Sequence, residues 1–523
     1  MIHLNFPLIN LNKQVSLTVG PWDCCDCEKT PKMDATVVSI AGEGDDSARL
    51  PLVARTEEIH PYAEPPSPQR PPLDAAAAQP EQQRKPQRLA SLDVFRGFTV
   101  AMMILVDDAG GAWPGINHSP WFGVTVADFV MPAFLFIIGV STALVFKKIP
   151  NKTAATKKAA VRAIKLFILG VILQGGYIHG RHKLTYGVDL DQIRWLGVLQ
   201  RIAIGYFLAA ISEIWLINNN LVDSHISFVK KYFMEWIMAM LITVLYVALV
   251  FGLYVSNWEF KVKVNNSTLS SPSNSVEMKT IHCGVRGSLG PPCNAVGLVD
   301  RVLLGANHLY KNPVYKRTKE CSINSPDYGP LPPNAPDWCL APFDPEGLLS
   351  SLMAAVTCFV GLHFGHVLIH CKNHSQRMLF WLLASTVLTI SAFLLQLLGM
   401  PFSKPLYTVS YMLLTAGVSG FLLLLLYCTV DVIHMKKPFI LFQWMGMNAL
   451  IVYVLAACEL FPTLIQGFYW RSPENNLVDI TESLLQAIFH SKRWGTLAFV
   501  LLEIVFWCLA AGFLHMKGVY LKL

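Results

Sequence analysis

Charge is what this sequence has little of. Asp, Glu, Lys and Arg make up 15% of its 523 residues, where an ordinary soluble domain carries roughly a quarter. So few charged side chains cannot coat a water-facing surface for a chain of this length, which excludes an ordinary cytosolic enzyme, a disordered protein and a coiled coil. The net charge of +7 is modest and sits mostly beside apolar runs, so no nucleic-acid partner is expected. The chain also lacks a Walker A loop, a dinucleotide glycine fingerprint and an H-E-x-x-H motif, which leaves ATP-driven pumping, Rossmann chemistry and zinc proteolysis without support. No metal is expected. What is abundant is hydrophobic side chain, 53% of the residues. That composition predicts an all-α polytopic membrane protein.

Crossing a hydrocarbon core takes about 20 predominantly apolar residues. Runs of that length fall at about 92–112, 122–146, 159–179, 193–217, 233–256, 347–369, 378–399, 406–428, 438–460 and 494–515, a bundle of about ten transmembrane helices. The positive charges orient it. Arg84, Lys85 and Arg88 precede the first run; Lys147, Lys148, Lys152, Lys157, Lys158 and Arg162 join the second to the third; Lys230 and Lys231, Lys372 and Arg377, Lys436 and Lys437, and Lys517 and Lys522 fall on the same face. The enrichment of Lys and Arg in cytoplasmic loops makes that face cytosolic, together with both termini. On the opposite face lies one long luminal loop, 257–346, between the fifth and sixth runs. It carries the sequons that begin at Asn265 and Asn266, and Cys283, Cys293, Cys321 and Cys339. Those features point independently to an oxidising, glycosylating compartment, with three pairings of the four cysteines open.

Residues 1–88 form a separate regime. Pro61 to Pro86 is rich in Pro, Gln and Ala and buries too little apolar surface to fold alone, and Met1 to Gly20 lacks a signal-peptide core. A cytosolic, disordered tail is expected there and a transmembrane domain over 89–523. Cys24, Cys25 and Cys27 read as solvated thiols, with palmitoylation or metal binding as the alternatives.

The polar residues inside or beside the runs are the candidates for chemistry. Asp93 and Arg96 share one face of the first helix. Near its far end stand Asp107 and Asp108, which either mark the interface or line a polar pocket, since acids at membrane depth need water, a partner or protein interior. Asn117 and His118 occupy the short turn that follows, where an imidazole held near carboxylates can act as a base at neutral pH. Asp128 lies inside the second run, close to Pro132, which frees a backbone carbonyl. Arg201 lies inside the fourth and needs an anionic partner, for which Asp128 or Asp107 is expected. Around Asn448 the small residues permit close helix contact, with the amide as packing glue or as part of a site. The basic cluster Lys147, Lys148, Arg162 and Lys165 is first a topology signal and secondarily a place to hold a phosphorylated cofactor.

Taken together, SLDVFRGFTVAMMILVDDAGG, NHSPWFGVTVADFVMPAFLFIIG, LGVLQRIAIGYF, GLVDRVLLGANHLY, FDPEGLLSSL, SYMLLTAGVSGF and GMNALIVYV resemble the heparan-α-glucosaminide N-acetyltransferase family of multi-spanning enzymes. They run in matching order from Ser91 to the last spans, as in a shorter homologue without the family's N-terminal luminal domain. The resemblance implies transfer of an acetyl group from cytosolic acetyl-CoA to a luminal amino sugar in an endomembrane compartment (lysosome, vacuole or Golgi). It also implies that His118 holds the place of the family's functional histidine. Asp107 stands where the animal enzymes have asparagine.

On that resemblance, His118 either takes the acetyl group or deprotonates the acceptor. Asp107 or Asp108 orients the ring, and Asn117 donates to the developing oxyanion. Asp128, Arg201 and Asn448 contribute to substrate binding, and Lys147, Lys148, Arg162 and Lys165 hold the phosphates of acetyl-CoA. The acceptor is an amino sugar or a polysaccharide, the surroundings are a lipid bilayer, and a homodimer stays open. The alternatives are O-acetylation of a polysaccharide and a proton-coupled secondary transporter. No internal repeat supports the transporter.

Overall fold

The computed structural model describes residues 89–147, 149–175, 177–178, 186–187, 191, 193–217, 225–264, 275–457 and 460–521. The expected tail, Lys148, both loop sequons, Cys24, Cys25, Cys27 and Cys458 lie outside the described residues. The chain opens with α1 (Ala90–Ala109), α2 (Val126–Val145) and α3 (Lys152–Gly175), then a two-residue ladder of β1 (Tyr177–Ile178) with β2 (Tyr186–Gly187). Next come α4 (Val198–Trp215) and α5 (His225–Gly252). A folded insert follows, with β3 (Tyr254–Val255), β4 (Trp258–Val264), β5 (Ser275–Ile281), β6 (Val285–Arg286) and α6 (Ala295–Leu303). The remainder is helical: α7 (Leu348–His370), α8 (His374–Leu397), α9 (Val409–Leu426), α10 (Ile440–Met447), α11 (Ala449–Val452), α12 (Leu460–Gln466), α13 (Leu477–Ile488) and α14 (Lys492–Met516).

Every expected apolar run holds helix, but fewer helices qualify as spans than the about ten that run length alone predicts. Among the described residues seven helices are long and apolar enough to cross a membrane, or eight if the bent pair around Asn448 is one span. The difference has a physical cause. α1 carries Asp93, Arg96, Asp107 and Asp108, and α3 carries Lys152, Lys157, Lys158, Arg162 and Lys165. Charges at this density are costly in hydrocarbon unless they face protein or water.

The helices sort into interior and rim. Of the apolar stretch of α7, 72% is buried, against 17% for α8. Burial places α2, α4, α7 and α9 inside, and puts α5, α8 and α14 where Phe233, Leu241, Leu383, Ile390, Leu502 and Phe506 stay exposed on an apolar rim. Interior contacts are close because glycines face backbone. A Cβ on Gly139 of α2 would collide with the Cys358 carbonyl of α7, and one on Gly361 of α7 with the Phe136 carbonyl of α2. Gly97 and Gly446 do the same for α1 against α10, the small-residue contact expected around Asn448. Asn448 itself stands at a 71° bend between α10 and α11.

The expected long loop is a structured insert. β4 pairs antiparallel with β5 from Trp258↔Ile281 to Val264↔Ser275, and β3 pairs with β6. Of the three pairings left open by sequence, the chain makes Cys283–Cys293 and Cys321–Cys339. Asp300 of α6 accepts the Leu348 backbone N–H at 2.8 Å, which ties the insert to the start of α7.

Gly446→Val should destabilise the protein by more than the about 1–3 kcal/mol of ordinary overpacking, because the obstacle is backbone and cannot rotate away. Thermal unfolding in detergent checks this. Gly111→Ala is the control, since nothing lies within 4 Å of its Cβ position, and it should melt with the parent.

Candidate active site

The turn between α1 and α2 is tight. The Trp113 N–H bonds the Ala109 carbonyl, the N–H groups of Ile116 and Asn117 bond the Trp113 carbonyl, and the Ala127 N–H bonds the Ile116 carbonyl. Asp128, in the first turn of α2, organises it. Its Oδ2 accepts from the Thr125 backbone N–H at 3.0 Å, the Thr125 hydroxyl at 3.1 Å and the Ser119 N–H at 3.2 Å. The Thr125 contact is the reaching-back half of a capping box, which satisfies an otherwise orphaned donor. Asp128 Oδ1 is left to face His118 Nδ1 at 2.9 Å. A carboxylate whose other oxygen is filled by donors is held as an acceptor, so the proton of this pair sits on Nδ1 and Nε2 carries the lone pair.

The carbonyl freed by Pro132 is that of Asp128 itself, four residues earlier. The Tyr411 hydroxyl of α9 donates to it. One residue is thus fixed through both its side chain and its backbone, with no exposed surface, while the His118 side chain keeps 28% of its surface open. That combination, a closed orienting acid behind an open base, is what acid–base chemistry requires.

A cation completes the group. Lys404, between α8 and α9, places Nζ 3.0 Å from His118 Nδ1, 3.1 Å from Nε2 and 4.0 Å from Asp128 Oδ1. Burial and the Lys404 charge hold the His118 imidazole below its ordinary value of 6.5, against the upward pull of Asp128. Burial likewise lowers Lys404, opposed by Asp128, Glu346 and Asp107. Glu346, whose charge acts on Lys404, also accepts from Arg194 Nη2; Arg194 bonds Asp344 Oδ2 through Nε at 2.8 Å and lies over the Tyr310 ring.

Several sequence expectations change here. The acid hydrogen-bonded to His118 is Asp128, where Asp107 or Asp108 was expected; both of those lie exposed at the end of α1, and Asp107 acts on Lys404 through its charge. Arg201 is buried, as expected, but its hydrogen bonds go to the Pro345 carbonyl at 2.7 Å, Ser350 Oγ at 2.5 Å and Ser351 Oγ at 3.4 Å, not to Asp128 or Asp107. Helix α7 starts beside Arg201 and supplies neutral acceptors, while Asp128 is already filled. Asn117 Oδ1 accepts the His118 backbone N–H at 2.8 Å, which shapes the turn and leaves its amide N–H groups to donate. Asn448 bonds the Ala511 carbonyl of α14 at 3.4 Å, with its Oδ1 buried and unpartnered. Lys147 is exposed just past the far end of α2, about 30 Å from Asp128 along that 20-residue helix, while Arg162 and Lys165 are exposed part-way along α3. Arg162 lies over the Tyr206 ring.

Lys404 was missed. The available signal was a lone lysine in a short turn on the face opposite the basic loops, where the charge rule disfavours it. Arg194, Asp344 and Glu346 stood in or beside the quoted motifs, but nothing in their spacing revealed that they meet.

The family model described as "Heparan-alpha-glucosaminide N-acetyltransferase, catalytic" matches residues 88–257. That stretch contains His118, Asp128, Arg194 and Arg201, while Lys404, Asp344 and Glu346 lie beyond it. The mouse protein named heparan-alpha-glucosaminide N-acetyltransferase is 28% identical over 460 residues, 83% of this chain and 62% of that protein. The human protein of the same name is 28% identical over 449 residues, 81% of this chain and 60% of that protein. The chain therefore spans about three-fifths of the length of the curated relatives it matches. The family model matches about a third of this chain and both alignments most of it, so heparan-alpha-glucosaminide N-acetyltransferase is what this chain is similar to.

Proposed function

We propose that the protein is a membrane acetyltransferase that moves an acetyl group from acetyl-CoA to the amine of an amino sugar, with His118 as the general base. The observation that carries this reading is the His118–Asp128 pair, an imidazole whose tautomer is held by a buried carboxylate and whose Nε2 faces Lys404 Nζ at 3.1 Å in a side chain that keeps 28% of its surface exposed. The alignments cover that pair, and the relatives are named for the same reaction class. The disulfide-bonded insert packs against the turn that carries His118: Trp121 donates to the Leu289 carbonyl at 2.9 Å and meets Tyr315 and Phe343 edge to face. Disulfides belong to an oxidising compartment, which supports a luminal address for His118 and a cytosolic one for the basic end at Lys147, Arg162 and Lys165.

In this reading the neutral amine of the acceptor displaces Lys404 from Nε2. The amine nitrogen attacks the thioester carbonyl, and its proton passes to His118 Nε2 as the N–C bond forms. When the C–S bond breaks, His118 returns that proton to the sulfur, which leaves as the CoA thiol. Asp128 keeps Nδ1 protonated and stabilises the transient imidazolium. Lys404, pushed aside but still beside the ring, and the Asn117 amide are the donors within reach of the oxyanion.

His118→Ala, reconstituted with labelled acetyl-CoA and glucosamine, should lose about 10²–10⁴-fold in rate, the usual worth of a positioned base; undiminished transfer would end the assignment. Offering a hydroxyl acceptor in the same assay separates N- from O-acetylation, and incorporation into the amine is expected to dominate. Asp128→Asn should lower kcat on the order of 10²-fold or more with KM little changed, in protein whose melting is checked alongside.

The pH profile gives a signed test. His118 sits below 6.5, so the acid limb of the rate should have its midpoint below that value. Lys404→Met removes a cation that holds the ring down and should move the limb to higher pH. Asp128→Asn removes the upward pull and should move it lower. An acid limb that stays put in Lys404→Met would show that the lysine does not act on the base.

A further inference from the structure

A second polar cluster lies at the other end of the interior helices. His363 and His366 stand late in α7, roughly 25 Å along the helix from Leu348, and face Glu213 near the end of α4 and Glu235 near the start of α5. Donor atoms of Glu235, His363 and His366 all lie within 4.8 Å of one another. His366 and Glu235 have no exposed surface. Yet His363 Nδ1 and Nε2, His366 Nδ1 and Glu235 Oε2 are all buried without a hydrogen-bond partner. Several unsatisfied polar atoms converging on one point are rare in a folded interior, because each has lost its water and gained nothing.

The surroundings are those of a metal's outer shell. Glu213 Oε2 lies 2.7 Å from His366 Nε2. A ring proton donated there fixes the tautomer and leaves the Nδ1 lone pair directed toward Glu235 Oε2, 3.9 Å away. This is the carboxylate–histidine arrangement that orients metal-binding imidazoles. Glu235 Oε1 accepts from Ser212 Oγ at 3.2 Å. Tyr232 stacks on His366 at 3.7 Å and 15°, and Trp236 on His363 at 4.0 Å and 4°, so both rings are held in plane.

We propose that Glu235, His363 and His366 form a site for one divalent cation of the zinc class, bound through two imidazole nitrogens and a carboxylate oxygen, with Glu213 in the outer shell. Two nitrogens and one oxygen suit zinc, whose bonds of about 2.0–2.1 Å bring donors to roughly 3.3 Å from one another. Contraction of the donor separations by up to about 1.5 Å closes the cluster on the ion. The fourth position goes to water. The ion neutralises carboxylates buried at membrane depth and clamps α5, a rim helix, onto α4 and α7, where apolar packing against lipid-like surroundings supplies little preference. The site is separate from His118, and its occupancy is read without any acetyl transfer.

The full chain, purified in detergent without a histidine tag, stripped with chelator, reloaded with Zn²⁺ and freed of unbound ion, should hold about one equivalent by elemental analysis. It should also melt higher loaded than stripped. His363→Ala with His366→Ala should hold almost none. Glu213→Gln, which keeps the shape of the cluster, should fold and bind about 10–100-fold more weakly. Cobalt(II) in place of zinc should give tetrahedral d–d bands in the parent. Less than about a tenth of an equivalent in the parent would overturn the site and leave protons shared by Glu213 and Glu235, whose carboxyls are in reach of each other. Full retention in the double variant would overturn it too, by placing the ion elsewhere. If the double variant does not fold, unchanged affinity in Glu213→Gln overturns the assignment on its own.

Discussion

The Asp128 carboxylate is the constraint from which the rest of the site follows. It is an anion without exposed surface, and such a group persists only when its lone pairs are filled. Three donors from Ser119 and Thr125 fill one oxygen and the His118 ring takes the other. The same contacts start α2, shape the turn from α1 and set the imidazole tautomer. Lys404 then supplies the positive charge that the buried anion needs, and in doing so holds His118 toward its neutral form. Capping, turn geometry and base strength are therefore consequences of one desolvated charge.

The bundle places its polar groups by depth and by layer. The interior helices carry Asp128 on α2, Arg201 and Glu213 on α4, and His363 and His366 on α7, while Asp93 is buried on α1, Glu235 on α5, and Asp300, Arg317, Asp344 and Glu346 in the insert. The rim helices expose aliphatic and aromatic side chains. Glycine-mediated contacts between α2 and α7 and between α1 and α10 bring backbones close enough to exclude water and lipid between those groups. At one end the interior holds His118, Asp128 and Lys404, and at the other Glu213, Glu235, His363 and His366. These are two polar ends joined by an apolar middle of Leu135, Phe136, Phe359 and Leu362.

Apolar runs located the long helices, because a stretch long enough to span cannot be satisfied in water any other way, but not α6 or α13, which lie between runs; the resemblance brought out His118. Asp128 and Pro132 were visible as an anomaly in one run, and the structure pairs them through Tyr411. What did not show was pairing between distant segments. Lys404 lies 286 residues from His118, and Arg194 lies 150 from Asp344; a single sequence carries no trace of such distances. Arg201 hydrogen-bonds Ser350, Ser351 and the Pro345 carbonyl, and the carboxylates its charge acts on are Glu346 and Asp300, which stand more than 90 residues away in the sequence and not in the run expected to supply them. The number of spans was too high because run length takes no account of the charges on α1 and α3. His363 and His366 carry no signal in the sequence; α4 and α5 bring the carboxylates to them.

Trp121 sits three residues beyond His118, and its indole N–H is held by Leu289, which lies inside the loop closed by Cys283–Cys293. The support for the histidine's turn is thus contributed by a covalently closed segment outside the helices of the bundle. The turn is walled by the insert as well as by the helices that flank it, so a change at Leu289 reaches His118 through Trp121 without touching α1 or α2.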